Sequence, residues 1–246
     1  MDAKQGSKTR IETAIILAAG KGTRLRPYTH DIPKGFMKVG EETLIGRSVR
    51  ILKENGIKNI LIGTGHLSEH YERLAKKEGL KTFKNPDFST TGSFHTLSYS
   101  ADLIDQGFLL LESDLLYHSQ AISSLVSNDS ENIILCSGFT ASNDEVYVES
   151  HDGYLKNLSK NKAEVQADAE LVGIWKISGD LFKVLMKHHE NAEDATTKDY
   201  EIAIANSNHP VTVLKIEDLV WCEIDNEEHL ERAKNKILPL LDQTHA

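Results

Sequence analysis

Five apolar runs recur through the first half of the chain: TAIILAA (13–19), KNILIGTG (58–65), KTFKN (81–85), GFLLLES (107–113) and ENIILCSG (131–138). Longer stretches with helical spacing separate them. TLIGRSVRILKENG brings Leu44, Val49, Ile51 and Leu52 near one face and stops at Gly56, and SEHYERLAKKEG stops in the same way at Gly79. Short strands alternating with amphipathic helices predict an α/β fold with a largely parallel sheet covered by helices.

Beyond about residue 138 the texture changes. EVYVESHDGYLKNLS alternates around Asp152-Gly153, which predicts a small inserted antiparallel hairpin lobe. A strand at LVGIWKIS, helices at about 179–189 and 198–206, a strand at VTVLKI and a terminal helix after WCEIDN complete the expected elements. No repeat, linker or second domain interrupts them, so residues 12–240 read as a single domain. The first dozen residues and the tail DQTHA are expected to fray.

The chain has 246 residues, 39% of them hydrophobic and 26% charged, enough to bury one sizeable core. Its formal charge of −9 argues against nucleic acid or an anionic membrane as a partner. No apolar run approaches the roughly 20 residues of a membrane span, and the polar start MDAKQGSKTR lacks a signal peptide's apolar stretch, so a cytoplasmic protein is expected. Cys136 and Cys222 both sit in apolar runs and read as buried thiols, with neither a disulfide nor a zinc site. His66 and His70 read as a surface pair on a helix, and His188 and His189 as an exposed helix end. Oligomeric state is not set by any of these features.

The first strand runs directly into a basic loop, AIILAAGKGTRLRP (14–27). Bare amides and cationic side chains at one strand end suit a polyphosphate. The loop is not a Walker loop, because Gly20 and Gly22 are followed by Thr23, Arg24 and Pro27 rather than Gly-Lys-Ser/Thr. It is not a dinucleotide fingerprint either, since Leu25 stands where the third glycine is required. Lys34 follows Pro33 and is expected on a constrained, extended segment from which it reaches a phosphoryl group.

LAAGKGTRLRP followed by IPKGFMKVGEETLIGRSVRIL resembles the signature of nucleotidyltransferases that join a nucleoside triphosphate to a phosphorylated small molecule. TGSFHTL, LLESDLLY, DEVYVE, LSK, LVGIWKIS and WCEIDNEEHL are most similar to the cytidylyltransferases acting on phosphocholine or 2-aminoethylphosphonate. The resemblance implies a Rossmann-like mixed, mainly parallel sheet, CTP as donor, a small phosphonate or phosphate acceptor, Mg²⁺ and pyrophosphate release.

Nucleotidyl transfer is an in-line displacement at the α-phosphorus, so alignment and charge neutralisation carry it. Magnesium prefers one or two carboxylates plus water. Asp114 and Asp225 each end an apolar strand, and the family pattern makes them the metal ligands; a cap on the helix that follows is the alternative for Asp225. Glu112 and Glu223 stand behind them. Arg24 is expected on the β and γ phosphates, Lys34 near the reacting centre, and Lys160 on the acceptor, although Lys160, like Lys38, also reads as a solvated lysine. Leu17, Ala18, Ala19, Gly20, Lys21, Gly22 and Thr23 are expected along the nucleotide, with Gly65, Thr91, Gly92 and Ser93 near base or ribose; Ser93 also reads as a plain helix cap.

The two acceptors differ at the amine. A quaternary amine calls for aromatic rings, whereas a primary ammonium calls for carboxylates. Asp144, Glu170 and Glu201 are the candidate acids, with Asp144 first, against rings at Tyr147, Trp175 and Tyr200, of which Trp175 reads as core. The motif likeness favours 2-aminoethylphosphonate. Phosphocholine, a sugar 1-phosphate with another nucleotide, and a non-catalytic nucleotide-binding module are the alternatives.

Overall fold

A computed structural model describes residues 10–243. In chain order the strands and helices are β1 (Thr13–Ala18), the short β2 (Lys38–Val39) and β3 (Glu42–Thr43), α1 (Leu44–Glu54), β4 (Asn59–Thr64), α2 (Ser68–Glu78), β5 (Lys81–Lys84), α3 (Ser93–Ser98), β6 (Phe108–Glu112) and β7 (Leu115–Tyr117). There follow α4 (Gln120–Ser127), β8 (Ile133–Ser137), β9 (Tyr147–His151), β10 (Tyr154–Ser159), β11 (Ala169–Ile177), α5 (Gly179–Asn191), α6 (Tyr200–Ala205), β12 (Thr212–Ile216), β13 (Trp221–Glu223), α7 (Glu227–Arg232) and, after a π-helical turn, α8 (Leu238–Gln243).

All five apolar runs form strands of one nine-stranded sheet, ordered β5-β4-β1-β6-β11-β8-β12-β10-β9. The four strands from β5 to β6 are parallel. Their runs are continuously apolar because helices cover both faces. Ala14 and Ile16 of β1 pack on one side with α1 and α4, while Ile15 and Leu17 face α3 and α5 on the other. A fully buried Ile or Leu contributes about 1.5–3 kcal/mol, so this alternation fixes the register of β1 between its neighbours.

The other half of the sheet is mixed, because β11 runs antiparallel to both β6 and β8. Its register against β8 shifts between Leu171 and Trp175, where Gly173 has φ 81°. A glycine supplies that backbone conformation without strain. The hairpin turns at Asp152 and Gly153, both with positive φ, and its strands continue the main sheet through pairings of β10 with β12 and of β9 with β11. A third apolar cluster, including Leu25, Leu44, Leu116, Cys222 and Leu230, lies beneath the two-stranded β7–β13 ribbon.

Several expectations are corrected. Residues 10–12 do not fray: Ile11 is buried and the Glu12 carbonyl accepts hydrogen bonds from the amides of Lys58 and Asn59. Asp242 and Gln243 belong to α8, and the rest of both expected frayed segments lies outside the described residues. Pro33 is extended, but Lys34 itself opens a 3-10 turn, Lys34–Phe36. His66 precedes α2 rather than lying on it, and His189 packs against His95 with ring centroids 5.1 Å apart. Both cysteines are buried, as expected. Among the described residues no helix is long and apolar enough to cross a membrane.

Candidate active site

The parallel strands deliver the site at their carboxyl ends, the edge where open α/β sheets bind ligands. Leu17 of β1 is in register with Glu112 of β6, and the Ser113 amide donates to the Leu17 carbonyl at 3.1 Å. Asp114 therefore emerges beside the basic loop. That loop turns at Gly22, with φ 60°, and its carbonyl accepts the Thr29 hydroxyl at 2.7 Å. Leu25 is buried as an anchor, which leaves Arg24 facing the cleft.

The antiparallel ribbon supplies the remaining acids. Glu223 of β13 pairs with Leu115 of β7, and the Ile224 amide donates to the Asp114 carbonyl at 3.2 Å. Glu223 and Asp225 thereby reach Asp114 from the far end of the sequence. Lys34 sits among them: its Nζ lies 2.5 Å from Asp114 Oδ2, contacts Asp225 Oδ1, and is 3.9 Å from Glu223 Oε1. Arg24 reaches Asp225 at 2.8 Å and Asp144 at 2.9 Å, and Lys160 reaches Asp144 at 3.4 Å. The catalytic cations expected from the sequence thus converge, each paired with an acid.

The helix-cap alternative for Asp225 is removed by its neighbour. Asn226 caps α7, accepting the His229 amide at 2.9 Å, so the Asp225 carboxylate is free to face Lys34 and Arg24. His229, which the sequence did not single out, accepts the Asp225 amide on Nδ1 at 3.3 Å and donates from Nε2 to the Ser142 carbonyl at 3.2 Å. This pairing fixes its neutral tautomer and ties Asp225 to the 138–146 loop.

Electrostatics at the seam are lopsided. Burial pulls the Lys34 ammonium down, but Asp114, Asp225 and Glu223 more than offset it and hold the lysine protonated. Burial pushes Asp225 up, yet Lys34 and its other hydrogen-bonding and cationic neighbours, Arg24 among them, bring its carboxyl well below the usual range. Glu112 and Glu223 go the other way, raised by burial and then by neighbouring carboxylates. The cluster holds more acid than its own cations can neutralise.

A cavity of about 370 Å³ accommodates the expected nucleotide residues. Leu17, Ala18, Ala19, Gly20, Gly22 and Thr23 line it, as do Thr91, Gly92 and Ser93. Lys21 and Gly65 stand behind the wall. Lys21 Nζ lies 6.0 Å from the Phe88 ring centroid, and a Cβ on Gly65 would fall 2.6 Å from Phe88 Cβ. Gly65 is thus explained by Phe88, which with Thr96 and Asp199 was missed in the sequence. Ser93 caps a different helix from the one expected: Gly92 is the N-cap of α3, while the Ser93 hydroxyl accepts the Tyr200 amide at 3.1 Å at the start of α6 and donates to Asp199 at 3.0 Å.

A second cavity of about 230 Å³ shares Ser93, Glu112 and Asp199 with the first. Asp144, Lys160, Glu170 and Glu201 all line it. They are not equivalent. Both Glu170 oxygens are engaged by Thr140, at 2.6 and 2.8 Å, so this acid holds the 138–146 loop. Arg232 helps by donating to the Thr140 carbonyl at 2.9 Å. Asp144 is neutralised by Arg24 and Lys160. Glu201 alone of the three has a buried oxygen, Oε2, without a hydrogen-bond partner. Its carboxyl is pushed up to about 7, first by burial. Trp175 and Tyr200 are buried in the core with rings 6.2 Å apart, so neither forms a cage.

The residues present fit a divalent cation. Glu112, Asp114 and Glu223 each offer an oxygen, all within 4.8 Å of one another. Asp114 Oδ1 is buried without a hydrogen-bond partner. Hard carboxylate oxygens suit Mg²⁺, and Asp225 stands next to this set through Lys34.

The sequence profile of the MobA-like NTP transferase domain matches residues 14–167. A choline-phosphate cytidylyltransferase of Streptococcus pneumoniae (strain ATCC BAA-255 / R6) is 42% identical over 84 residues, covering 34% of this chain and 37% of that protein. The CMP-5'-(3-aminopropyl)phosphonate synthase of Streptomyces rubellomurinus (strain ATCC 31215) is 30% identical over 118 residues, 46% of this chain and 19% of that protein. The chain therefore spans less than half the length of either relative. Among solved structures, the inositol-1-phosphate CTP transferase from T. maritima superposes with a TM-score of 0.79 at 18% identity, covering 94% of this chain and 99% of that one. The profile match spans most of the sheet and the basic loop, and with the shared fold it establishes that the chain belongs to the MobA-like NTP transferase family.

Proposed function

We propose that the protein transfers CMP from CTP to 2-aminoethylphosphonate, releasing pyrophosphate, in a Mg²⁺-dependent reaction. One observation carries the proposal: Arg24, Lys34, Asp114 and Asp225 converge in the larger cavity, and Asp114 lies within 4.8 Å of Glu112, which lines both cavities, and of Glu223, which lines the smaller. A donor in the larger cavity and an acceptor in the smaller would bring two anions together at that seam.

Bound at the carboxylates of Asp114 and its neighbours, Mg²⁺ supplies charge neutralisation between the phosphate oxygens. The chain's own residues do the rest. Arg24 exchanges Asp225 and Asp144 for the β and γ phosphates, and Lys34 neutralises the charge developing at the α-phosphorus. Lys160 holds the acceptor's phosphonate. No general base is needed, because a phosphonate oxygen is already ionised near neutral pH.

Cytosine as the base is supported by the two curated relatives, whose names specify cytidylyl transfer or a CMP-linked product. The amine preference is supported by the cavity. Its lining includes Glu112, Asp199, Glu201 and Glu223 but, of the Phe, Tyr and Trp rings that build a cage, Trp221 alone. Carboxylates match the three N–H donors of a primary ammonium. Glu201, with its unpartnered oxygen, takes over the ammonium role that the sequence favoured for Asp144.

Phosphocholine is the second reading. It is favoured by the pneumococcal relative and by Phe139 and Tyr147, whose rings hold the Lys162 ammonium at 5.1 and 5.5 Å. Those rings lie outside the lining of the smaller cavity. Pyrophosphate release with CTP and each acceptor decides: turnover is expected with 2-aminoethylphosphonate and Mg²⁺, and faster turnover with phosphocholine would overturn the acceptor assignment.

A further inference from the structure

Behind the wall of the nucleotide cavity formed by Phe88, Thr91 and Thr96 lies a buried amide that claims an acceptor lone pair on both threonines. Asn85 is fully buried. Its Oδ1 accepts the Asp87 amide at 2.8 Å, which fixes the side-chain amide's orientation. Nδ2 then donates one hydrogen to Thr91 Oγ1 at 2.9 Å and the other to Thr96 Oγ1 at 3.0 Å. An amide NH₂ has only those two donors, so both threonine oxygens are acceptors toward Asn85.

From this point the two hydroxyls differ. Thr91 donates its proton to the Asp87 carbonyl at 2.9 Å, which leaves only a lone pair for any further partner. Thr96 keeps its proton, for which no protein acceptor is found among the described residues. Both residues line the cavity, Thr91 with a hydroxyl committed to accepting and Thr96 with one that still holds its proton and a second lone pair.

We infer that Asn85 presets Thr91 and Thr96 to read the edge of cytosine and to reject uracil. This inference rests on the CTP reading above. With the triphosphate at Arg24 and Lys34, the base falls to the Phe88–Thr91–Thr96 wall. Cytosine offers an N4 amine donor beside a bare N3 lone pair, which complements an acceptor beside a donor. Uracil offers an O4 lone pair beside N3–H, the reverse pattern, so its O4 meets the remaining lone pair of Thr91 in a repulsive contact, and Thr96 can meet N3–H only by turning its own proton away from the base. A site built to satisfy a specific donor and acceptor rejects the mismatched analogue strongly, because its own buried groups are left unpaired. Asn85 acts through the threonines and is a positioning residue. Thr91 and Thr96 touch the base.

The test uses steady-state pyrophosphate release with CTP, UTP and 3-deaza-CTP, in which N3 is replaced by C–H. Wild-type protein is expected to use 3-deaza-CTP about 10–100-fold less efficiently than CTP, the loss typical of one specificity-determining hydrogen bond. Thr96→Val should lose a similar factor on CTP and no longer distinguish CTP from 3-deaza-CTP, and Thr96→Ser should restore the distinction. Asn85→Asp replaces the two donors by acceptors, so Thr96 turns its proton inward. The CTP:UTP ratio should then fall by at least about tenfold. Wild-type turnover of 3-deaza-CTP as efficient as that of CTP would overturn the inference without any substitution, as would Thr96→Val retaining the wild-type distinction. A wild type that prefers another nucleotide to CTP would instead overturn the reading on which the inference stands.

Discussion

The two cavities meet at Glu112, Ser93 and Asp199 yet balance their charges differently. On the nucleotide side, each cation is already matched by an acid: Arg24 by Asp144 and Asp225, Lys34 by Asp114 and Asp225. On the acceptor side, Glu112, Glu201 and Glu223 are raised by burial and then by neighbouring carboxylates, and Glu201 keeps a buried oxygen without a partner. The nucleotide side works by exchanging partners, so its binding energy is a difference between two sets of ion pairs. The acceptor side is short of positive charge until a cation arrives. In the proposed reaction, that contrast lets a chain with net charge −9 hold two anionic substrates: Arg24 and Lys34 stand together, with acids that give way.

The largest expected break comes at the seam. Asp114→Asn and Asp225→Asn each remove an ionised oxygen that no neighbour replaces, and each should lower kcat by about 10³-fold or more. Circular dichroism should show the fold intact, since Asn preserves shape. A rate within threefold of wild type in either variant would remove that residue from the reaction.

Glu201→Gln should separate the two sides. Acceptor KM is expected to rise about tenfold, the cost of a charge-assisted hydrogen bond, while KM for CTP stays unchanged. Equal changes in both constants would show that the cavities are not distinct.

Asp144→Asn sharpens the exchange argument from the other direction. It frees Arg24 of one competitor, so CTP should bind about two- to fivefold more tightly, a small effect because the Arg24 side chain is mostly exposed. Calorimetric titration with CTP and Mg²⁺ reads this directly, and weaker binding would contradict it.

The smallest effect is on stability. A carboxyl raised to about 7 in the folded chain binds its proton more tightly there than when unfolded. Its contribution is therefore full below the ordinary carboxylate range and is lost as pH rises through about 7. Thermal unfolding between pH 5 and 8 should show a fall in Tm, on the order of 1 kcal/mol in stability, that Glu201→Gln flattens. Acceptor binding has the opposite sign: it needs the ionised carboxylate, so KM should rise as pH falls below about 7.

The strands, the basic loop and the strand-end positions of Asp114 and Asp225 were legible because each is a local pattern. Apolar runs, glycines and an acid after an apolar strand can be read within a dozen residues. Asn85 and Thr96 were not legible, since their roles depend on one amide bridging two hydroxyls on either side of a turn. Ser93 was misplaced for a related reason: the helix it caps starts at Tyr200, more than a hundred residues away. Asp144 and Glu170 were read from the sequence as acceptor acids and both line the smaller cavity, but composition does not reveal whether a carboxylate is already satisfied. Thr140 and Arg24 satisfy these two, and Glu201 keeps an oxygen without a partner.

The most direct test of the seam is phosphorus NMR of a mixture of protein, CTP, Mg²⁺ and 2-aminoethylphosphonate. The expected result is loss of the free phosphonate signal, a new coupled pair from the phosphonate–phosphate anhydride, and equimolar pyrophosphate, none of which forms with Asp114→Asn. Hydrolysis of CTP without a coupled product, or the same product at the same rate from Asp114→Asn, would contradict the account.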